Sequence, residues 1–409
     1  MIRPRRLAPC LIAAGALLLG ACGGRDDSSS PISDSTSGDR PSGEPIVIGL
    51  DEDSTSAGAA YSMVTAEAVR DTVDKINSEG GVLDRPLELV VGNSESDPTK
   101  GTAIARNLID QDAIAIFLTA GSASSVQMKP VLQSEQVIGI APTSTSADLV
   151  AAPDAEFVYT LAPSAAAWAP TYCGAFEAAE IETVGVIIES TPSLQSLNDA
   201  LITNGIAKCV DVVASEQAAP DTTDVTAQIT KLKNADPDAI LSSTSGGAFG
   251  VLIQNTLAQV TPDTQTFTVQ ALANQPEEWR TANPGALDGL VALASVDLTN
   301  PRTEEAIEFF RSIRGEDFQV TGFDLQAYDA VYLLVEAIEE AGSVDDPEAI
   351  KDAMDATDDY EPHFGGQDFR LTFTADKHNG ATGDCGVVLA EFTAENQLGD
   401  PWPTFQPSC

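Results

Sequence analysis

Two short stretches of the chain concentrate hydroxyl side chains, GSASS at residues 121–125 and PTSTS at residues 142–146. Ser122 lies just ahead of a helix that the sequence predicts to begin near Ser124. Thr143 and Thr145 follow the apolar run VIGIA. Hydroxyls and free backbone N–H groups at a helix start are donors that suit an anionic group such as a carboxylate. The same residue types also cap helices and close turns with no ligand in view.

Catalytic and metal chemistry have little to work with. His363 and His378 are the only histidines, and there is no CxxC, GxSxG, SxxK, HExxH or P-loop pattern. Gly246 and Gly247 lack the spacing and the following acidic residue of a dinucleotide fingerprint. The expectation is a protein that is not an enzyme, with no metal site and no cofactor. A net charge of −41 on 409 residues also argues against nucleic acid as a partner. It is read as a solvated acidic surface.

The N-terminus speaks to location. Arg3, Arg5 and Arg6 precede an apolar run at residues 7–21, too short to span a bilayer comfortably at about 20 residues. This is the pattern of a secretory signal. It ends Leu19-Gly20-Ala21-Cys22, which resembles a bacterial lipobox, and that resemblance implies cleavage before Cys22 and lipidation of its thiol. Residues 22–45, rich in Gly, Ser, Pro and Asp, are read as the lipidated cysteine and a flexible tether. Four cysteines remain beyond it: Cys173, Cys209, Cys385 and Cys409. An even number in an exported chain argues for disulfides. Chain order suggests Cys173 with Cys209 and Cys385 with Cys409, each closing a loop worth about 3–4 kcal/mol.

The elements that must position these groups alternate regularly. IVIGL (46–50) reads as a strand, and the helix after it carries Val64, Ala68, Val69, Val73 and Ile76 at three- and four-residue spacing before Gly80 and Gly81 stop it. LELVVG, AIAIFL and VIGIA continue as strands between helices, and Asp97-Pro98 opens one of those helices. From about residue 163 the pattern restarts, with strands predicted at 184–188, 209–214, 239–243, 266–272 and 291–298. Helices are predicted at 303–314, 324–342 and 347–357, and FRLTFT with GVVLAEF as a closing hairpin. Strict alternation predicts an α/β chain of two doubly wound parallel-sheet lobes, with ligands bound at strand carboxyl ends, in the cleft between them.

Residues 46–160 are similar to the opening of type I periplasmic solute-binding proteins of the leucine/isoleucine/valine-binding group. The likeness is carried by a Ser/Thr/Gly loop ending in Tyr61, an Ile-Asn shortly before Gly-Gly, the step from Gly81 to Leu89, and Asp97-Pro98. The Ser-rich turn, helix, strand and Pro-x-x-Thr loop of residues 121–149 extend it. The resemblance implies a three-crossover hinge, with lobe one at 46–162 plus 298–365 and lobe two at 163–297 plus 366–409. It implies a monomeric, lipid-anchored extracytoplasmic receptor that hands a small amino-acid-type solute to an ABC permease and ATPase complex. Related two-lobed modules also serve as sensors beside a separate signalling partner.

The same resemblance implies that Ser122 and Thr145 hold the ligand's carboxylate by hydroxyl and Thr143 by backbone, that Tyr61 lines the side-chain pocket, and that Trp168 walls the cleft. The family's ammonium anchors are missing. The turn that should carry a glutamate reads Gln270-Ala271-Leu272-Ala273-Asn274, Ala165 sits where an aspartate is expected, and Pro192-Ser193-Leu194-Gln195 replaces a Tyr-Gly. Asp51, Glu52 or Asp53 could supply the counter-charge, or the ligand could lack an ammonium.

Overall fold

The computed structural model describes residues 41–56, 58–381 and 385–409. The expected signal (1–21), Cys22 and all of the expected tether except residues 41–45 fall outside the described residues. The first block runs β1 (Ile46–Glu52), α1 (Ala59–Ser78), β2 (Leu87–Asn93), α2 (Pro98–Ile109), β3 (Ala115–Leu118), α3 (Ser122–Glu135), β4 (Ile138–Ala141) and β5 (Val158–Thr160). All its strands are parallel, in the order β2-β1-β3-β4-β5. The order reverses between β1 and β3, so the loops after those two strands diverge and leave a crevice at their carboxyl ends.

The second block repeats the plan with α4 (Ala169–Ala178), β6 (Thr183–Glu189), α5 (Pro192–Asn198), β7 (Asp211–Ala218), α6 (Thr226–Asn234), β8 (Ala239–Ser243), α7 (Gly247–Val260) and β9 (Gln265–Thr268). The single turns α8 (Gln270–Ala273) and α9 (Pro276–Trp279) precede β10 (Val291–Ala294). Its switch point lies between β6 and β8. α10 (Thr303–Arg314), α11 (Gly322–Ala341) and α12 (Pro347–Asp355) then return to the first lobe, and β11 (Val388–Phe392) with β12 (Leu398–Pro401) ends the chain on the second sheet. The chain thus passes between the sheets three times.

Burial follows the pleat. In β3, Ala115 and Phe117 join the core shared with α1 and α11, while Ile116 and Leu118 join the one under α2 and α3. In β10, Ala292 and Ala294 face one core and Val291 and Leu293 the other. Both faces of the sheets are covered at their centres, which is why β3, β4 and β10 read as unbroken apolar runs while the edge strand β7 alternates exposed and half-buried residues. Local signals hold the helix starts: the Asp97 side chain accepts from Thr99 N at 2.8 Å with Pro98 in the first turn, and Thr321 and Asp324 form a reciprocal capping box on α11.

Three details differ from the sequence reading. The second sheet is not wholly parallel, because β11 and β12 add an antiparallel edge. The hairpin is β11 with β12; FRLTFT instead makes isolated antiparallel bridges, Leu371 to Tyr360 and to Ala381, with Phe369, Leu371 and Phe373 buried in the core that β1 and α11 also line. Residues 373–380, within the stretch expected in lobe two, lie against β5. Thr160 N donates to His378 O at 2.9 Å, and Tyr159 stacks on His378 with ring centroids 4.4 Å apart. Disulfides join Cys173 to Cys209 and Cys385 to Cys409.

Candidate ligand-binding site

The lobe-one wall is built from the loops after β1, β3 and β4. Asp53, buried just past β1, accepts from Thr55 N at 3.2 Å, Ser56 N at 2.8 Å and Ser96 Oγ at 2.7 Å, and also from Ser56 Oγ. Burial works against its charge, but these donors outweigh it and hold Asp53 below its ordinary pKa. The loop so fixed delivers Tyr61, on the first turn of α1, with its hydroxyl donating to Ala120 O at 3.0 Å. Burial raises the pKa of that hydroxyl, which keeps it a donor. Gly121 sits at φ +119°, a backbone that side chains resist, and a Cβ there would collide with the Tyr61 hydroxyl.

Ser122 is the first residue of α3 rather than two residues ahead of it. Its Oγ lies 2.9 Å from Ser144 Oγ. Thr160 Oγ1 donates to Ala141 O at 3.0 Å and Ser144 O at 2.9 Å, and Ala165 N donates to Thr145 O at 3.0 Å, so the 142–146 loop is pinned at both ends. Lys129 reaches from α3 to Asp148 O at 2.6 Å and Ala151 O at 2.5 Å, which carries the loop onward. Burial lowers the Lys129 pKa, and the charges of Asp148 and Asp154 oppose that.

The lobe-two wall comes from the loop into α4 and from the ends of β6, β8 and β9. Trp168 is 2% exposed, and its indole N–H has no acceptor. Ser245 donates through N at 2.8 Å and Oγ at 2.7 Å to the buried carboxylate of Glu189, at the end of β6. Gly246, at φ +81°, lets the chain turn against the Gln275 side chain, which accepts from Gly247 N at 2.6 Å and donates to Ser245 O at 3.0 Å.

Between the walls lies a cavity of about 490 Å³. It is lined by Tyr61, Ser122, Thr143, Thr145 and Trp168, so the fold brings all five residues singled out in the sequence to one place. Ser144, Ser245, Leu194, Leu197 and Phe323 also line it and were missed. Ser144 was within reach of sequence reasoning, as a third hydroxyl in the same loop. Phe323 is brought in by the first turn of α11, some 260 residues after Tyr61, whose ring meets it edge-on at 6.4 Å; no local pattern marks that.

The acidic run that ends β1, Asp51 to Asp53, is not part of the cavity wall. Asp51 is fully buried and accepts from Ser94 N at 3.2 Å and Ser94 Oγ at 3.0 Å. Burial outweighs those bonds and pushes its pKa up to about 7. Glu52 pairs with Arg70, and Asp53 holds the loop. Among the described residues that line the cavity, Asp148 is the single charged one, and it is exposed. No cluster of three metal-ligating side chains and no helix long and apolar enough to cross a membrane occurs among the described residues.

A family model described as periplasmic binding protein matches residues 45–391. The Leu/Ile/Val-binding protein BraC3 of Rhizobium johnstonii is 24% identical over 313 residues, covering 76% of this chain and 83% of that protein. A Leu/Ile/Val-binding protein homolog of Brucella melitensis is 24% identical over 312 residues, with the same coverage of 76% and 83%. Among solved structures, the branched-chain amino acid transporter substrate-binding protein LivJ of Streptococcus pneumoniae, in complex with isoleucine, aligns with a TM-score of 0.76. It is 18% identical over 89% of this chain and 100% of that one. A periplasmic binding protein type 1 of Bordetella pertussis aligns with a TM-score of 0.75 and 21% identity, over 88% and 100% of the two chains. At these identities the structures speak to the shared fold.

Proposed function

As the chain belongs to the periplasmic binding protein family, whose members capture solutes rather than transform them, we propose that it is the receptor of an ABC importer. It takes a small solute of amino-acid type, or a related carboxylate or amide, in the cleft between its lobes. One observation carries the reading: the five residues that the family resemblance singles out, drawn from both lobes, line one cavity of about 490 Å³. That volume is in the range of small-molecule sites. The α3 N-terminus and the hydroxyls of Ser122, Thr143 and Thr145 give an anion its donors, and Tyr61 and Trp168 give an apolar body its walls. Ligand would draw the lobes together about the three passages, with lobe one comprising residues 46–162 and about 298–381.

The leader and Cys22 complete the proposal: a lipid anchor on the extracytoplasmic face, a tether, and a monomeric receptor that meets its permease and ATPase at the membrane. Binding is tested by thermal denaturation against branched, aromatic and acidic amino acids, ammonium-free acids, amides, urea and polyamines. A solute at about 100 times its Kd stabilises the folded state by about 2.7 kcal/mol, a rise of a few degrees. A flat response across the whole panel would remove the receptor reading. Anchoring is tested separately: Cys22→Ala should move the protein from the membrane to the soluble fraction.

A further inference from the structure

We propose, building on the receptor reading, that the solute is an ammonium-free carboxylic acid with an apolar aromatic or branched body, and that the Trp168 indole N–H is one of its donors. Polar groups on the two walls are rich in donors and poor in negative charge. Lobe one presents the α3 N-terminus with the Ser122, Thr143, Ser144 and Thr145 hydroxyls. Lobe two presents Trp168, 98% buried by its 2% exposure, with an N–H that meets no acceptor. A buried donor without a partner is costly, and a carboxylate oxygen brought against the indole as the lobes close would supply what it lacks. The apolar walls are Tyr61, Trp168, Leu194, Leu197, Val269 and Phe323.

An amino acid brings an ammonium as well, and a desolvated ammonium needs a counter-charge. The carboxylates nearest in sequence are committed elsewhere: Asp51 to Ser94, Glu52 to Arg70, Asp53 to its own loop and Ser96. Glu189 is 1% exposed behind Ser245, takes both Ser245 donors on one oxygen, and is not part of the cavity wall. Asp148 does line the cavity, but it is exposed, and the Lys129 ammonium bonded to its backbone offsets its field. Gln270 turns its amide nitrogen away to Ser295. No described wall residue offers a desolvated ammonium a buried negative charge.

The test is a pair of matched titrations by calorimetry on the purified protein, 3-phenylpropanoate against L-phenylalanine and 4-methylpentanoate against L-leucine. Each pair differs only in the ammonium. The expected result is at least tenfold tighter binding of the acid in one pair or both, with the preferred acid weakened several-fold in Trp168→Phe, whose apo melting temperature should stay close to wild type. Equal or tighter binding of the amino acids would overturn the proposal and leave the receptor reading intact. Silence of all four compounds would overturn it too, and the wider panel then decides whether the receptor reading survives. An unchanged affinity in Trp168→Phe would remove the indole from the site whatever the acids do.

Discussion

The two walls of the cleft are made to different standards of completion. On the lobe-one side, Tyr61, Ser122, Ser144 and the carbonyls of Ser144 and Thr145 already have hydrogen-bond partners within the protein. On the lobe-two side, Ser245 and Gln270 are bonded too, but the Trp168 indole lacks a partner, as do, next to the wall, the buried Ser243 hydroxyl beside Thr244 and the Asn198 amide beside Leu197. A wall whose polar groups are satisfied keeps its shape without ligand, and one with orphaned donors gains most when something fills it. On the proposed receptor reading, lobe one would be the preformed anchor, and lobe two the part that completes its bonding on capture.

The largest expected effect concerns the base of the anchor. Asp51 has a folded pKa of about 7, above the unfolded carboxylate value of about 3.9. The folded chain therefore binds the extra proton between those values. Its contribution to stability is fully present below about pH 4 and is lost as pH rises to about 7. Asp51→Asn can accept from Ser94 N and donate to Ser94 Oγ without the charge. It should stabilise the fold at pH 8 by up to about 4 kcal/mol and flatten the fall in stability between pH 5 and pH 8. Denaturant midpoints of both proteins at the two pH values check this. Parallel pH profiles would mean that the anchor does not rest on a buried neutral carboxyl.

Next in size is the covalent support of the other wall. The Cys173–Cys209 disulfide ties α4, just beyond Trp168, to the segment that enters β7. Replacing both cysteines by serine should cost just under about 4 kcal/mol through the 36-residue loop. Affinity should fall less than tenfold, because ligand re-forms a wall that is unfinished without it. A loss of binding out of proportion to the loss of stability would show lobe two to be as preformed as lobe one.

A smaller change in stability should do more to binding when it strikes the anchor. Gly121→Ala places a side chain at φ +119° and against the Tyr61 hydroxyl. A cost of about 1–3 kcal/mol is expected, together with at least a tenfold loss of affinity, since Tyr61, Ser122 and the start of α3 shift together. Melting temperature and titration on the same sample separate the two effects. A variant that melts lower yet binds normally would break the contrast between the walls.

How far the sequence carries a reader divides along the same line. Periodicity placed Ser122, Thr143 and Thr145 at a helix start and a strand end, where doubly wound folds open a crevice, and the family resemblance singled them out with Tyr61 as ligand contacts. The roles of Asp51 and Asp53 were not. Whether an acidic side chain faces a cavity or its own loop depends here on Ser94 and Ser96, about 40 residues away on a different strand's exit. Ser245 and Phe323 were hidden for the same reason, being delivered by elements whose local sequence says helix or turn and nothing about which crevice they reach. The docking of residues 373–380 on β5 was equally silent: Phe369, Leu371 and Phe373 alternate as a strand would, but Leu371 bridges Tyr360 and Ala381 and not the GVVLAEF strand.

The smallest expected effect is the most discriminating. Asp148 is the one charged residue among the described residues of the cavity wall, and it sits on the anchor side, at the loop that Lys129 holds through the Asp148 and Ala151 carbonyls. Its backbone does the positioning, and its carboxylate is exposed to solvent, where an ion pair contributes at most about 1 kcal/mol. Asp148→Asn keeps the carbonyl that Lys129 needs and removes only the charge. Stability should stay within about 0.5 kcal/mol, and the affinity for a carboxylic acid should hold or rise slightly as a like charge leaves the mouth. If instead the variant loses an amino acid that the wild type binds, the counter-charge stands on the preformed wall after all. Lobe one would then recognise both ends of its solute, and lobe two would serve only to close over it.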